Sequence, residues 1–176
     1  MKTAVFSLLV FALISPALAQ TADADYHGLS FTPRGFGQAF DDAAAGLDVN
    51  VGQRSQLINC AGAEWTICTF QLSELAYAII GGKDANAPAR DVMMVIALAG
   101  DNRAATTAMQ GLLGWAALIK LLRPELNAAA RGDLMMRFID VIRDNPEDPV
   151  EIKSGDAAFS VSAAPGMRIW LSAQRD

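Results

Sequence analysis

Cys60 and Cys68 are the two cysteines of this chain, and they constrain its fold more than any other feature. Residues 54–61 and 65–72 both have the alternation and composition of β-strands, with a glycine-containing turn between them. In a hairpin centred on Glu64, the two cysteines lie directly opposite each other on one face. We therefore expect a cross-strand disulfide, which would stabilise the fold by about 2–3 kcal/mol on the chain-entropy estimate.

A structural role for this cysteine pair is favoured over a redox or metal-binding role. The spacing is not that of a Cys-x-x-Cys motif, and no neighbouring group would activate a thiol. Two thiols without histidine partners also make an incomplete zinc site. The sequence therefore predicts no metal site and no cofactor here. The hairpin centred on Glu64, which sets Cys60 opposite Cys68, also predicts that Ile58 lies opposite Phe70.

Residues 1–19 have the pattern of a cleavable secretory signal peptide. Lys2 provides the positive charge, residues 4–14 form an apolar run, and small residues at 17 and 19 suit a signal peptidase. A membrane anchor would need about 20 apolar residues, more than this run has. We expect cleavage after Ala19 and a periplasmic or secreted protein that starts at Gln20. The alanine-rich, lysine-poor composition favours a bacterial periplasm, whose oxidising conditions suit the expected disulfide.

The net charge of the chain limits the classes of partner that it can bind. It has 14 basic and 19 acidic residues, for a formal net charge of −5 at pH 7. Nucleic acids require clustered lysine and arginine, which this sequence lacks. The negative charge also disfavours anionic membrane surfaces. We therefore expect no nucleic-acid partner. We also expect no membrane span in the mature chain, because its longest apolar run, residues 111–122, is too short and is interrupted by Lys120.

The hydrophobic pattern predicts a single α+β domain over residues 20–176. The predicted elements are a short strand at 27–31, a helix at 36–47, strands at 54–61, 65–72, 74–80 and 91–99, helices at 103–123 and 126–144, and strands at 150–153, 158–162 and 167–172. Grouped strands with an inserted helical pair indicate a mainly antiparallel sheet. We expect the pair 103–123 and 126–144 to cover this sheet, with an N-terminal amphipathic helix and a C-terminal β-meander.

Two segments have more apolar residues than an ordinary surface element. Residues 91–99 are apolar at successive positions, which is typical of a central strand covered on both faces. Residues 103–123 are apolar nearly all round, which is typical of a buried helix or of a helix that offers a surface to a partner. For the second alternative, the candidate apolar binding surface consists of Met109, Leu112, Leu113, Trp115 and Leu118.

The sequence offers no complete set of catalytic residues. Its one histidine, His27, is the only possible general base for a serine or cysteine nucleophile, and we assign it no catalytic role. Asp41 and Asp42 are neighbours on a helix and point about 100° apart, so they do not converge easily on one site. The glycines at 35 and 37 resemble half of a dinucleotide fingerprint, but they lack its βαβ context and are read as the entry to a helix.

These observations favour an exported, non-enzymatic protein that binds another protein or a hydrophobic ligand through apolar surface near residues 103–123. The alternative is a small secreted hydrolase or an enzyme inhibitor. A cleft holding two carboxylates about 5–10 Å apart would favour the hydrolase. A protruding loop, such as residues 81–89, would favour the inhibitor.

Overall fold

The computed structural model describes residues 28–47, 54–97, 104–144, 146–164 and 168–175. The signal peptide predicted for residues 1–19 and the histidine at 27 lie outside the described residues. The helices are α1 (Phe36–Ala45), α2 (Ala104–Leu122) and α3 (Ala128–Asp144). The strands are β1 (Gln56–Ala61), β2 (Thr66–Ser73), β3 (Ala76–Gly82), β4 (Asp91–Ala97), β5 (Val150–Ser154), β6 (Ala157–Ala164) and β7 (Arg168–Arg175).

The seven strands form one antiparallel sheet in the order β1-β2-β3-β4-β7-β6-β5. Consecutive strands from β1 to β4, and again from β5 to β7, are neighbours in the sheet. Both ends of the sheet are therefore built from local connections. The pair α2–α3 lies between β4 and β5 in the chain, and β4 and β7 pair at the centre of the sheet. The predicted α+β class, the helical pair and the C-terminal meander are therefore confirmed, and the three helices lie within two residues of their predicted bounds.

One face of the sheet, the inner face, forms the hydrophobic core with the three helices. Alternate residues of the strands point to this face and are buried. They are Cys68, Phe70 and Leu72 of β2, Ala76, Ala78 and Ile80 of β3, Val92, Met94 and Ile96 of β4, Ile152 of β5, Phe159 and Val161 of β6, and Leu171 and Ala173 of β7. The central position predicted for residues 91–99 is confirmed. The cover predicted for both faces is not, because within the described residues only the inner face of β4 is buried.

Helix α2 lies directly on β4 because two glycines on its underside let the backbones approach. A Cβ atom added at Gly111 would be 2.4 Å from Cδ1 of Ile96, and one added at Gly114 would be 2.4 Å from Cε of Met94. Since side-chain atoms cannot come this close, neither site leaves room for a side chain without movement of the strand residue beneath it. The close approach buries Trp115 and Leu118 completely between the helix and its neighbours.

Aromatic rings join the other two helices to the sheet. Helix α1 packs against α2, and its Phe36 ring lies 5.3 Å from the ring of Phe70 on β2. Helix α3 packs against β6 and α2. Its Phe138 ring lies 5.5 Å from the ring of Phe159 and meets Trp115 edge-on at 6.1 Å. Such pairs add about 0.5–1.5 kcal/mol each beyond the area they bury.

The disulfide expected from the sequence is present between Cys60 and Cys68, which are directly paired across β1 and β2. The predicted pairing of Ile58 with Phe70 is wrong. The register shifts between Leu57 and Asn59, so Leu57 takes the position opposite Phe70 and Ile58 is left out of the ladder. A bulge of this kind cannot be predicted from the residue types here, because Leu57 and Ile58 are both apolar and either could face inward.

The short strand predicted at 27–31 is not a strand in the part that the structure describes. The segment is nevertheless held in place by two backbone hydrogen bonds. The amide of Leu29 donates to the Ala89 carbonyl at 2.7 Å, and the amide of Ala89 donates to the Phe31 carbonyl at 2.8 Å. Leu29 and Phe31 are buried, so this segment closes one side of the core.

The three glycines of α2 and α3 predict a graded response to alanine substitution. At Gly111 the added Cβ meets three side-chain atoms of Ile96 within 3.0 Å, and Ile96 is buried and branched. We expect Gly111→Ala to lower the free energy of unfolding by about 1–2 kcal/mol. The added methyl group overpacks the core, and the higher helix propensity of alanine offsets only part of that cost. At Gly114 only the flexible end of Met94 lies in the way, so Gly114→Ala should change it by less than about 1 kcal/mol.

Gly132→Ala is the matched control, because no atom lies within 4 Å of the added Cβ. This variant should gain up to about 1 kcal/mol from helix propensity alone. Urea unfolding of the three variants and the parent measures the series. Equal stability of the Gly111 and Gly114 variants would contradict the packing of α2 on β4 described above.

Candidate functional site

The structure separates the five residues of the predicted apolar surface into two groups. Trp115 and Leu118 are 0 % exposed and belong to the core, so they cannot contact a partner. Met109 is 58 % exposed, and Leu112 and Leu113 are half-buried. The surface predicted on residues 103–123 therefore reduces to Met109 and the accessible parts of two leucines.

The apolar surplus of α2 is explained mainly by its surroundings. It has β4 beneath it, α1 on one side and α3 on another, so residues around much of its circumference are buried. Among the described residues it is also the one helix long and apolar enough to cross a membrane, over Ala105–Leu122. Its packing against the sheet and both other helices is that of the core helix of a globular domain.

The second face of the sheet carries the apolar side chains that the described helices leave uncovered. We call it the open face. Its residues are Ile67, Thr69 and Gln71 of β2, Tyr77 and Ile79 of β3, Met93 and Val95 of β4, Ser160 and Ser162 of β6, and Trp170 and Ser172 of β7. All are half-buried or exposed. An antiparallel sheet with one solvated face normally alternates apolar and polar residues, yet the middle of this face is apolar.

The centre of the open face is a contiguous group of five large side chains on the three middle strands. Tyr77, Val95 and Trp170 are direct cross-strand neighbours in one row. Ile79 and Met93 are neighbours in the next row. Side chains in such positions stand about 4.5–5.5 Å apart at Cβ, so the five form one surface.

Uncharged polar residues surround this apolar centre. Gln71 and Ser162 flank the apolar part of the first row, and Thr69 and Ser172 flank that of the second. An apolar centre rich in aromatic residues and methionine, depleted of charge and bounded by a polar rim, is the usual composition of a protein interface. A contiguous exposed apolar patch likewise marks interaction surfaces.

Charged residues lie at the margin of the open face. Asp91 is next to Gly81 and Gln174 in the adjoining row. Burial raises the pKa of the Asp91 carboxyl, although the positive charge of Arg90 and a hydrogen bond from the Gly81 backbone act to lower it. The Arg90 guanidinium lies 5.6 Å from the ring centre of Trp65, in cation–π geometry.

The acidic pair on α1 has structural partners. Asp41 accepts a hydrogen bond from the Ser55 amide at 3.0 Å, and Asp42 accepts one from Nε2 of Gln38 at 2.8 Å. The two carboxylates therefore hold separate contacts. They do not form one site.

The glycines at the start of α1 also have structural roles. The amide of Gly35 donates to Oγ1 of Thr32 at 3.0 Å. A Cβ atom on Gly37 would meet the Phe70 ring at 2.8 Å. Close packing of the helix start on β2 accounts for the second glycine without a bound nucleotide.

No group of three or more histidine, cysteine, aspartate or glutamate side chains suited to a metal ion occurs within the described ranges. No family model matches the chain, and neither a curated protein nor a solved structure matches it. The candidate site is therefore defined by the geometry of the open face alone.

Asp91 gives the open face a pH-dependent contribution to stability. A raised carboxyl pKa in the folded state means that the charged form is disfavoured by folding, so its cost is absent at low pH and grows as the pH rises through the raised value. We expect Asp91→Asn to raise the melting temperature at pH 7 and to lose this advantage below about pH 4, where the carboxyl is protonated in both states.

Asp148→Asn is the matched control, since it removes the same charge from an exposed position. Melting temperatures of both variants between acidic and neutral pH measure the effect. An Asp91 variant that is less stable than the parent at pH 7 would show that the contacts with Arg90 and Gly81 outweigh the burial of the charge.

Proposed function

We propose that the chain is an exported, non-enzymatic binding protein that takes a protein partner on its open face. The observation that carries this proposal is the group Tyr77, Ile79, Met93, Val95 and Trp170 at the centre of the sheet, which the described helices leave uncovered. The core does not need these side chains on this face, because the inner face already packs against all three helices.

The chemistry of the open face favours a protein over a small hydrophobic ligand. A drug-sized or lipid-sized ligand requires a concavity that buries most of its surface. The five central residues are spread over three neighbouring strands of one sheet face and remain partly exposed. They form a broad surface and do not enclose a small ligand. Tyrosine, tryptophan and methionine are side chains that dominate binding energy or adapt to varied partners.

Export is the second part of the proposal. The disulfide between Cys60 and Cys68 supports it, because disulfides persist in oxidising compartments and are rare in reducing ones. The signal-peptide pattern of residues 1–19 supports it independently. The alanine-rich, lysine-poor composition supports a bacterial periplasm as the location.

Site-specific photo-crosslinking in the expressing cell tests the binding surface. A photoreactive side chain at Met93 should give a discrete, saturable protein adduct that disappears when Trp170→Ser is added. The same probe at Met109, which is exposed on α2, is the matched control and should give no adduct. An adduct only from Met109 would place the binding surface on α2 and contradict the open-face site. No adduct from either position would contradict the binding function itself.

Intact mass of the purified protein tests the export. The chain recovered from the cell envelope or medium should lack residues 1–19 and should be lighter than the reduced mature chain by two hydrogens. Its partition is followed by osmotic shock, with a variant carrying Leu8→Arg and Leu9→Arg in the apolar run as the control that stays inside the cell. A full-length protein found only in the reducing compartment would contradict the proposal.

A further inference from the structure

The two edges of the sheet differ in how they are protected against pairing with another strand. At one edge, β5 has five residues, follows Pro149 and exposes the charged side chains of Glu151 and Lys153. Short length, proline and charge are the usual devices that keep an edge strand from pairing. At the other edge, β1 has the sequence Gln-Leu-Ile-Asn-Cys-Ala and no charged residue.

Apolar exposure is concentrated at the β1 edge. Six large hydrophobic side chains are exposed among the described residues, and four of them belong to the β1–β2 hairpin. They are Leu57, Ile58, Trp65 and Ile67. Ile58, the residue left out of the ladder, is 54 % exposed. No described strand pairs with the outer side of β1, so in this part of the structure the edge combines outward backbone hydrogen-bonding groups with an apolar surface. An extended polypeptide satisfies both.

We propose that this occupant is a second copy of the chain, paired antiparallel through β1. The charges that flank the strand carry this choice: Arg54 precedes β1 and Glu64 follows it, and both are exposed. Antiparallel pairing about Asn59, with Ile58 outside the ladder, sets Arg54 of each copy opposite Ala63 of the other and next to its Glu64, twice by symmetry. Parallel pairing would instead place like charges together, which costs energy.

The bulge fits the same pairing. Leu57 and Cys60 lie on one face, because their partners Phe70 and Cys68 are alternate residues of β2. With Ile58 outside the ladder, antiparallel pairing sets Leu57 of each copy beside Cys60 of the other on the inner face. This covers a leucine that is 42 % exposed in the single chain. The five apolar residues at the centre of the open face are on the opposite side of the sheet, on β3, β4 and β7, so self-pairing and the proposed partner binding use separate residues.

Sedimentation equilibrium on the oxidised chain tests the proposal. A strand of six residues makes a small interface, so we expect a dimer that forms reversibly with a dissociation constant in about the micromolar range. Ile58→Lys should keep the chain monomeric at concentrations where the parent is dimeric. Met109→Lys, which adds the same charge at an exposed apolar residue of α2, should leave the dimer unchanged. Circular dichroism confirms that each variant is folded.

Charge exchange tests the orientation. Arg54→Glu and Glu64→Arg should each weaken the dimer by at least about tenfold, because each creates two like-charge contacts. The double variant should restore the parent affinity. A parent that stays monomeric at the highest attainable concentration, a dimer insensitive to Ile58→Lys, or a double variant as weak as the single ones would each overturn the proposal. A monomer whose β1 amides become protected from exchange only with another protein present would assign the edge to a foreign strand and overturn self-pairing.

Discussion

The close contact between α2 and β4 is the constraint on which the rest of the architecture depends. Gly111 and Gly114 bring the helix onto Ile96 and Met94 of the strand at the centre of the sheet. At this distance α2 becomes a platform for both other helices, since α1 and α3 each pack against it. All three helices are thereby gathered on one side of the sheet. The opposite side is left without a helical layer in the described part of the chain, and the candidate site is a direct result.

Much of the fold is predictable from the sequence because the relevant signals are local. The alternation around Cys60 and Cys68 defines a hairpin and its register at the disulfide. The run at 91–99 predicts a central strand, and β4 does pair with a strand on each side, although the cover predicted for its second face is not seen in the described structure. The bulge at Ile58 escapes prediction because it changes the pairing partner without changing the pattern of residue types.

The candidate site is harder to predict, because periodicity reports that a face is apolar but not what covers it. In α2 the apolar surplus serves the core, as the complete burial of Trp115 and Leu118 shows. In β4 the surplus is on the open face, where Met93 and Val95 have no helix above them in the described structure. The sequence does contain one signal of the open face. Trp170 alternates with the inward-facing residues of β7, so it lies on the same side of the strand as Ser172. A tryptophan on the otherwise polar side of a meander strand is typical of a binding surface.

The strand order has a consequence for how quickly the chain reaches its native state. Every neighbouring pair in the sheet except one is joined by a local connection of about eight residues or fewer, so those pairs can form while little of the chain is ordered. The exception is β4 with β7, which meet only after the helical pair and two further strands have been accommodated between them. Closing so long a segment carries the largest entropic barrier of any step in the sheet. The central seam between β4 and β7, which carries α2 on its inner face and the candidate site on its open face, is therefore expected to form last and to set the folding rate.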